Sequence, residues 1–257
     1  MTIQSMANSE MAKSMMKLSA GQRINRAADD AAGLAISEKM NAQISGSNQN
    51  VNNISDMGNL LNTAEGSLES INDSLSRIRE LSVQASNGIL TNDDKQIIQN
   101  EIEGLKKGIS STVNNTEFNT MKVLDGSFTN KNVAMNTSGS GSRISIENSS
   151  LETLGIKEFD VTKSFDIADI DNAIGKVTES RSKIGSVSNT FEHALNNTKN
   201  KIINETRAMS QIKDADIAAE VSSYKKNKVL EQYSIAMQRE SSRINANKLG
   251  MYTDLII

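Results

Sequence analysis

A run of residues stepping strictly by four and three constrains this chain more than any other feature. It reads Met57, Leu61, Ala64, Leu68, Ile71, Leu75, Ile78, Ser82 and Ala85. That spacing is the a/d seam of a coiled coil, with two weak positions. Upstream, Met40, Ile44, Val51 and Ile54 continue the stripe, with a register slip expected near Gly58. The pattern predicts one helix over about 35–86, roughly 75 Å long at 1.5 Å per residue. A helix of that length with a single apolar stripe needs partner helices to cover it. Proline is absent from all 257 residues, which suits long helices because proline breaks them.

Two later stripes supply the partners. After the turn signal "ASNGILTNDDKQ", Ile98, Ile102, Leu105, Ile109 and Val113 predict a helix over about 92–113. Asn87-Gly88 is expected to supply positive-φ residues there, and Thr91 or Asn92 the helix cap. This helix should pack back on the first as an antiparallel hairpin. Ile170, Ile174, Val177, Ile184, Val187, Phe191, Leu195 and Ile202 predict a third over about 167–207. A break near "SQIKDADIAAE", with Asp214 or Asp216 as cap, precedes a last helix carrying Ile217, Val221, Tyr224, Val229, Leu230, Tyr233 and Met237. Residues 114–165 are a β/loop region rich in Asn, Ser, Thr and Gly. Val133/Met135 and Ile144/Ile146 alternate around "NTSGSGS", a β-hairpin pattern. Phe118, Val123, Leu124 and Phe128 are expected to pin this region to the helices. The fold class is therefore mainly α: a long antiparallel helical coiled-coil rod with a small central β-hairpin and paired N- and C-terminal helices.

Composition excludes several functions. Aromatics are 3% and Cys is absent, so neither a thiolate nucleophile nor a Cys-based metal site exists. His193 is the single histidine and no HExxH occurs. Asp29/Asp30 and Asp93/Asp94 suit helix starts better than cation sites, and "SGSGS" lacks the Lys of a phosphate loop. The expectation is no enzyme, no metal and no cofactor. Net charge is −3 with signs interspersed, which argues against a nucleic-acid partner. No apolar run is long enough to enter a membrane. The opening "MTIQSMANSEMAKSMM" lacks a basic leader and apolar block, so no cleavable signal peptide is expected. Met1, Met6, Met11, Met15 and Met16 fall near helical spacing. They suggest a helix face exposed in the monomer and covered in an assembly, with the chain ends ordering only on assembly.

"LSAGQRINRAADDAAGLAIS" (18–37) resembles the N-terminal signature of bacterial flagellins. "NLLNTAEGSLESINDSLSRIRELSVQASNG" (59–88), "NNTEFNTMKVLDG" (114–126), "FEH" (191–193) and "SQIKDADIAAEVSSYKKNKVLEQ" (210–232) follow in the family's order. The resemblance implies a structural filament subunit for motility. It would be exported unfolded by the flagellar type III apparatus with an export chaperone, and added to an extracellular homopolymer beneath a filament cap. It further implies a terminal inner-core domain of 1–32 with 214–257 and a rod domain of 33–213, with outer domains essentially missing. The segment before "LSAGQRINRA" is short for the family, and only Leu255, Ile256 and Ile257 keep its apolar tail. By the same resemblance, Arg77, Leu81 and Glu101 match a rod segment recognised by Toll-like receptor 5. A hook–filament junction protein shares the first motif, but more often carries Pro after the Asp-Asp pair, where Ala31 stands here. A coiled-coil signalling or scaffold protein would need a transmembrane or sensory segment, and none is read. Arg23, Arg26, Asp29 and Asp30 lie where the two domains would join. Asp29 and Asp30 suit a helix N-terminus, and the two arginines are expected to pair with Asp214, Asp216 or Glu220, or with a neighbouring subunit.

Overall fold

The structure is a computed structural model and describes residues 3–136 and 138–254, without the side chains of Ile3 and of residues 248–254. Met1 and the tail Leu255, Ile256 and Ile257 lie outside the described residues. Six helices and two small sheets follow in order. They are α1 (Ile3–Ala20), α2 (Ala31–Ala85), α3 (Asn92–Asn115), β1 (Glu117–Phe118), β2 (Met121–Lys122), β3 (Lys131–Ala134), β4 (Gly141–Ile144), α4 (Leu151–Leu154), α5 (Ile167–Lys213) and α6 (Ile217–Asp254). The chain divides into two compact units, residues 45–202 and residues 1–44 with 203–257.

The unit of residues 45–202 holds the apolar core. Every position of the seam from Met57 to Ala85 is buried. Ile98, Ile102, Ile109 and Val113 of α3 and Ile170, Val177, Ile184 and Phe191 of α5 complete the same cluster. Three helices thus cover a stripe that one could not bury. Ion pairs run along the rims of this core. Arg79 Nε donates to Asp171 Oδ1 at 2.6 Å, and Arg181 Nε to Glu65 Oε1 at 2.8 Å.

The seam differs from expectation upstream. No slip occurs near Gly58. Stepping back from Leu61 by four and three lands on Met57, Ile54, Asn50 and Ser47, all of them buried, whereas Val51 is half-buried. The register continues through polar residues, which a search for apolar stripes passes over.

The α2–α3 turn also differs in detail. Neither Asn87 nor Gly88 has positive φ. The turn is closed by the Asn87 amide donating to the Gln84 carbonyl (3.1 Å) and the Leu90 amide to the Asn87 carbonyl (3.2 Å). Thr91 then caps α3 in a reciprocal box with Asp94.

Residues 116–165 lie against the helices through Val123, Leu124, Phe128, Ile156 and Val161, all buried. The expected hairpin is β3–β4, antiparallel with Lys131 opposite Ile144 and Ala134 opposite Gly141. Gly141 is required by its neighbour: a Cβ there would lie 1.6 Å from the Val133 carbonyl oxygen. The residue pattern carries no warning of a second hairpin, β1–β2, whose turn places Asn119 and Thr120 at positive φ. Nor did it signal a buried polar clip on α3. Gln99 Oε1 accepts from the Val161 amide (2.9 Å), and Lys106 Nζ donates to Glu103 (2.8 Å) and the Phe159 carbonyl (3.3 Å). These bonds satisfy backbone groups of a loop that has no ladder of its own.

Two expectations follow from this packing. Leu68→Ala should destabilise the chain by about 2–5 kcal/mol, the range for emptying a well-packed leucine site, read by denaturant unfolding. The Thr91 hydroxyl and amide hold the Asp94 carboxyl below its ordinary value. A depressed folded pKa contributes stability above the unfolded value and loses it as pH falls through the folded one. Protection at the start of α3, taken relative to the intrinsic exchange rate at each pH, should therefore fall on acidification below the ordinary carboxylate range, and Asp94→Asn should remove that dependence.

Candidate assembly interface

The second unit is built differently. Within it α1 and α6 lie side by side, and Lys17 near the end of α1 meets Glu220 near the start of α6 at 3.9 Å, so the pair is antiparallel. The buried residues of α1 are small, Ala7 and Ser14, one heptad apart. Small side chains let two backbones approach closely. Among the large apolar ones, Met11, Leu18, Val221, Tyr224 and Ile235 are half-buried and others stay open. Met6 is 55% exposed, and Met15 and Met16 are open as well. On α6, Val229 is 62% and Tyr233 64% exposed, with Ile217, Leu230, Met237 and Ile244 also open. In the structure of the single chain α1 and α6 are helical and paired. Close approach of their small residues and the joint described next hold them.

The joint links the α1–α2 connection to the α5–α6 connection. A helix end leaves its last four carbonyls without intrahelical donors. At the end of α5, Arg23 supplies two of them: its amide donates to the Lys213 carbonyl (2.7 Å) and its Nη2 to the Ile212 carbonyl (2.7 Å). A guanidinium also suits the negative end of the helix dipole. The Ala215 amide donates to the Gly21 carbonyl (3.0 Å), and Gln22 and Asp214 form an isolated antiparallel bridge. Ile24, between the two arginines, is 1% exposed and is the large apolar anchor of the joint.

The seven residues singled out at this joint all lie around it. Asp30 and Asp216 cap helix starts as expected, whereas neither arginine pairs with Asp214, Asp216 or Glu220. Arg23 takes helix-end carbonyls rather than a carboxylate. Arg26 Nη2 donates to Met16 Sδ at 3.3 Å. Asp29 Oδ2 accepts from the amides of Asn25 (3.1 Å) and Arg26 (2.9 Å), which hold its carboxyl below the ordinary value. Asp30 Oδ1 accepts from the Gly33 amide at 2.8 Å and so caps α2. Asp216 Oδ1 caps α6 by accepting from Ala218 (2.9 Å) and Ala219 (3.1 Å). Asp214 accepts from the Ser210 hydroxyl, and Glu220 pairs with Lys17. Two of the five acids, Asp30 and Asp216, serve as caps because two helices start here and each start needs an acceptor. Gly33 makes room for this: a Cβ would fall 2.5 Å from Asp30 Oδ2 and 2.7 Å from Ile24 Cδ1. A polar cavity of about 620 Å³ lies beside the joint, lined by Lys13, Lys17, Arg23, Arg26, Asp29 and Asp30.

In the other unit, Arg77 and Glu101 form one exposed pair. Arg77 Nε and Nη2 donate to Glu101 Oε1 (3.0 and 2.9 Å), and Nη1 to Glu80 Oε2 (2.9 Å). These contacts hold the Arg77 proton more firmly than usual. Leu81 is 2% exposed and belongs to the core, not to the surface that Arg77 and Glu101 present. Among the described residues there is no cluster of His, Cys, Asp or Glu that could hold a metal ion. No helix among them is long and apolar enough to cross a membrane. What the described geometry offers is exposed apolar helix surface beside a rigid, hydrogen-bonded joint.

Comparison with known proteins accords with that arrangement. Residues 1–129 match the model of the bacterial flagellin N-terminal helical region, and residues 167–249 match that of the bacterial flagellin C-terminal helical region. The chain is 40% identical to a flagellin of Bacillus subtilis, covering 95% of this chain and 93% of that protein. It is 34% identical to a flagellar filament core protein of Brachyspira hyodysenteriae, over 95% and 93%. A solved structure assigned to a flagellar hook-associated protein of Vibrio parahaemolyticus superposes with a TM-score of 0.59 at 17% identity, covering 72% of this chain and all of that one, a likeness of fold alone. With both matched regions spanning the helices described above, and relatives aligned over nearly their whole length, the chain belongs to the bacterial flagellin family.

Proposed function

We propose that this chain is the repeating subunit of a bacterial flagellar filament, a structural protein of motility that works by self-association. The observation that carries this reading is the unpartnered apolar surface of α1 and α6. Met6, Met15, Val229, Leu230, Tyr233 and Met237 are open to solvent in one chain. Large apolar side chains left open in this number mark an interaction surface, and covering each on assembly contributes at most about 1.5–3 kcal/mol, the value for full burial. In this reading 1–32 with 214–257 form the polymerising domain and 33–213 the second domain. Arg26 and the cavity beside it face a neighbouring subunit. The filament is extracellular, and secretion with an export chaperone and addition beneath a cap follow from the family resemblance. The flagellin relatives, aligned end to end, favour the filament subunit over the hook–filament junction alternative.

A second reading concerns the exposed Arg77–Glu101 pair. It is the surface that Toll-like receptor 5 would contact, with Leu81 acting from beneath by holding α2 in place. The support is the family resemblance together with the exposure of both charged groups.

Tyr233→Asp should abolish filaments seen by electron microscopy, with and without seeds, while the monomer's unfolding midpoint stays within the small range typical of surface changes. Filaments of normal length would overturn the reading. Arg77→Ala should weaken binding to the receptor ectodomain without changing polymerisation. Equal affinity would remove this surface from the receptor site.

A further inference from the structure

The α2–α3 turn carries a chemical feature that the apolar core does not use. Asn87-Gly88 is the single Asn-Gly pair in the chain. Both residues are exposed. The Gly88 amide enters none of the turn's hydrogen bonds, although its neighbours Asn87 and Leu90 both donate there. A Cβ on Gly88 would meet nothing within 4 Å apart from its chain neighbours, so no other part of the fold crowds this side of the turn. The Asn87 side chain is already oriented. Its Oδ1 accepts from the Ile89 amide at 3.3 Å, a donor aimed at the oxygen on which negative charge would develop during attack at Cγ. Glycine adds no side chain to hinder ring closure.

From this geometry we infer that Asn87 is a self-modifying site that loses its amide by intramolecular cyclisation. The Gly88 backbone nitrogen attacks Asn87 Cγ and gives up its proton. The Cγ–Nδ2 bond breaks and ammonia leaves with that proton. A five-membered succinimide results. Water then adds to one of its two carbonyls and opens the ring to aspartate or, through the other carbonyl, to isoaspartate. No oxidant, metal or partner protein takes part. The product places a carboxylate just past the C-terminal end of α2, against the negative end of the helix dipole. The isoaspartate form also lengthens the main chain by one methylene within the turn. Each subunit thus carries an age mark at the connection between two helices of its core.

The test is incubation of the full-length protein in neutral buffer at physiological temperature, with peptide mapping by mass spectrometry over time and an isoaspartate assay of the 80–95 peptide. Asn87 should convert in a first-order course, several-fold faster than Asn92 in the same peptide, with isoaspartate appearing only at position 87. Gly88→Ala should stop this, and it should fold normally because Gly88 has neither positive φ nor a crowded Cβ position. Retention of the Asn87 amide while Asn92 converts as fast or faster would overturn the inference. So would equal conversion in the Gly88→Ala variant.

Discussion

The apolar seam of α2 has to be buried, and no single helix can bury its own stripe. Its cost in water is what the rest of the larger unit answers. A 55-residue helix with leucine or isoleucine at most a/d positions between Ile54 and Ile78 exposes a long apolar face, and the gain from covering it scales with area. α3 and α5 supply two complementary faces. Residues 116–165 supply the remainder through Val123, Leu124, Phe128, Ile156 and Val161. That irregular segment is tolerated against a core because its backbone groups are paired, by two short hairpins and by the Gln99–Lys106 clip, rather than left bare.

The unit formed by the chain ends obeys a different constraint. Its fully buried described side chains on α1 are an alanine and a serine, and many of the large apolar groups of α1 and α6 stay open. Little apolar area is covered within one chain, so hydrogen bonding at the joint carries more of the burden. Arg23 ties the end of α5 to the start of the α1–α2 connection. Asp30 and Asp216 start the two helices that leave it. A surface left apolar beside a joint made rigid is consistent with a subunit whose remaining burial comes from its neighbours.

Much of this was legible in the residues. The a/d spacing located α2, α3 and α5, and Thr91 and Asp216 announced helix starts that the structure has. The alternation around "NTSGSGS" located β3–β4. The misreadings have physical causes. Ser47 and Asn50 sit on the seam, yet polar residues do not register in an apolar pattern. Asn87-Gly88 signals a turn, but the chain closed it through ordinary backbone regions with bonds from Asn87 and Leu90. Arginine beside acids suggests ion pairs. Here Asp30 and Asp216 are taken by helix starts, Asp29 by turn amides and Arg23 by a helix end. Gln99 and Lys106 look like surface residues on a helix wheel, and only the loop laid over them makes them interior.

The sequence alone determined the element types, the helix that must be partnered and the residues that form its seam, because those follow from periodicity within one segment. It also marked the family, because several motifs occur in one order along the chain. The tertiary structure decided which polar groups meet. A hydrogen-bond partner is chosen by what lies opposite in space, and Arg23 with the Ile212 carbonyl, or Gln99 with the Val161 amide, join positions far apart in the chain. It decided as well that Leu81 is interior while Arg77 is not, since two residues four apart on one helix differ in environment only when the neighbouring helices are in place.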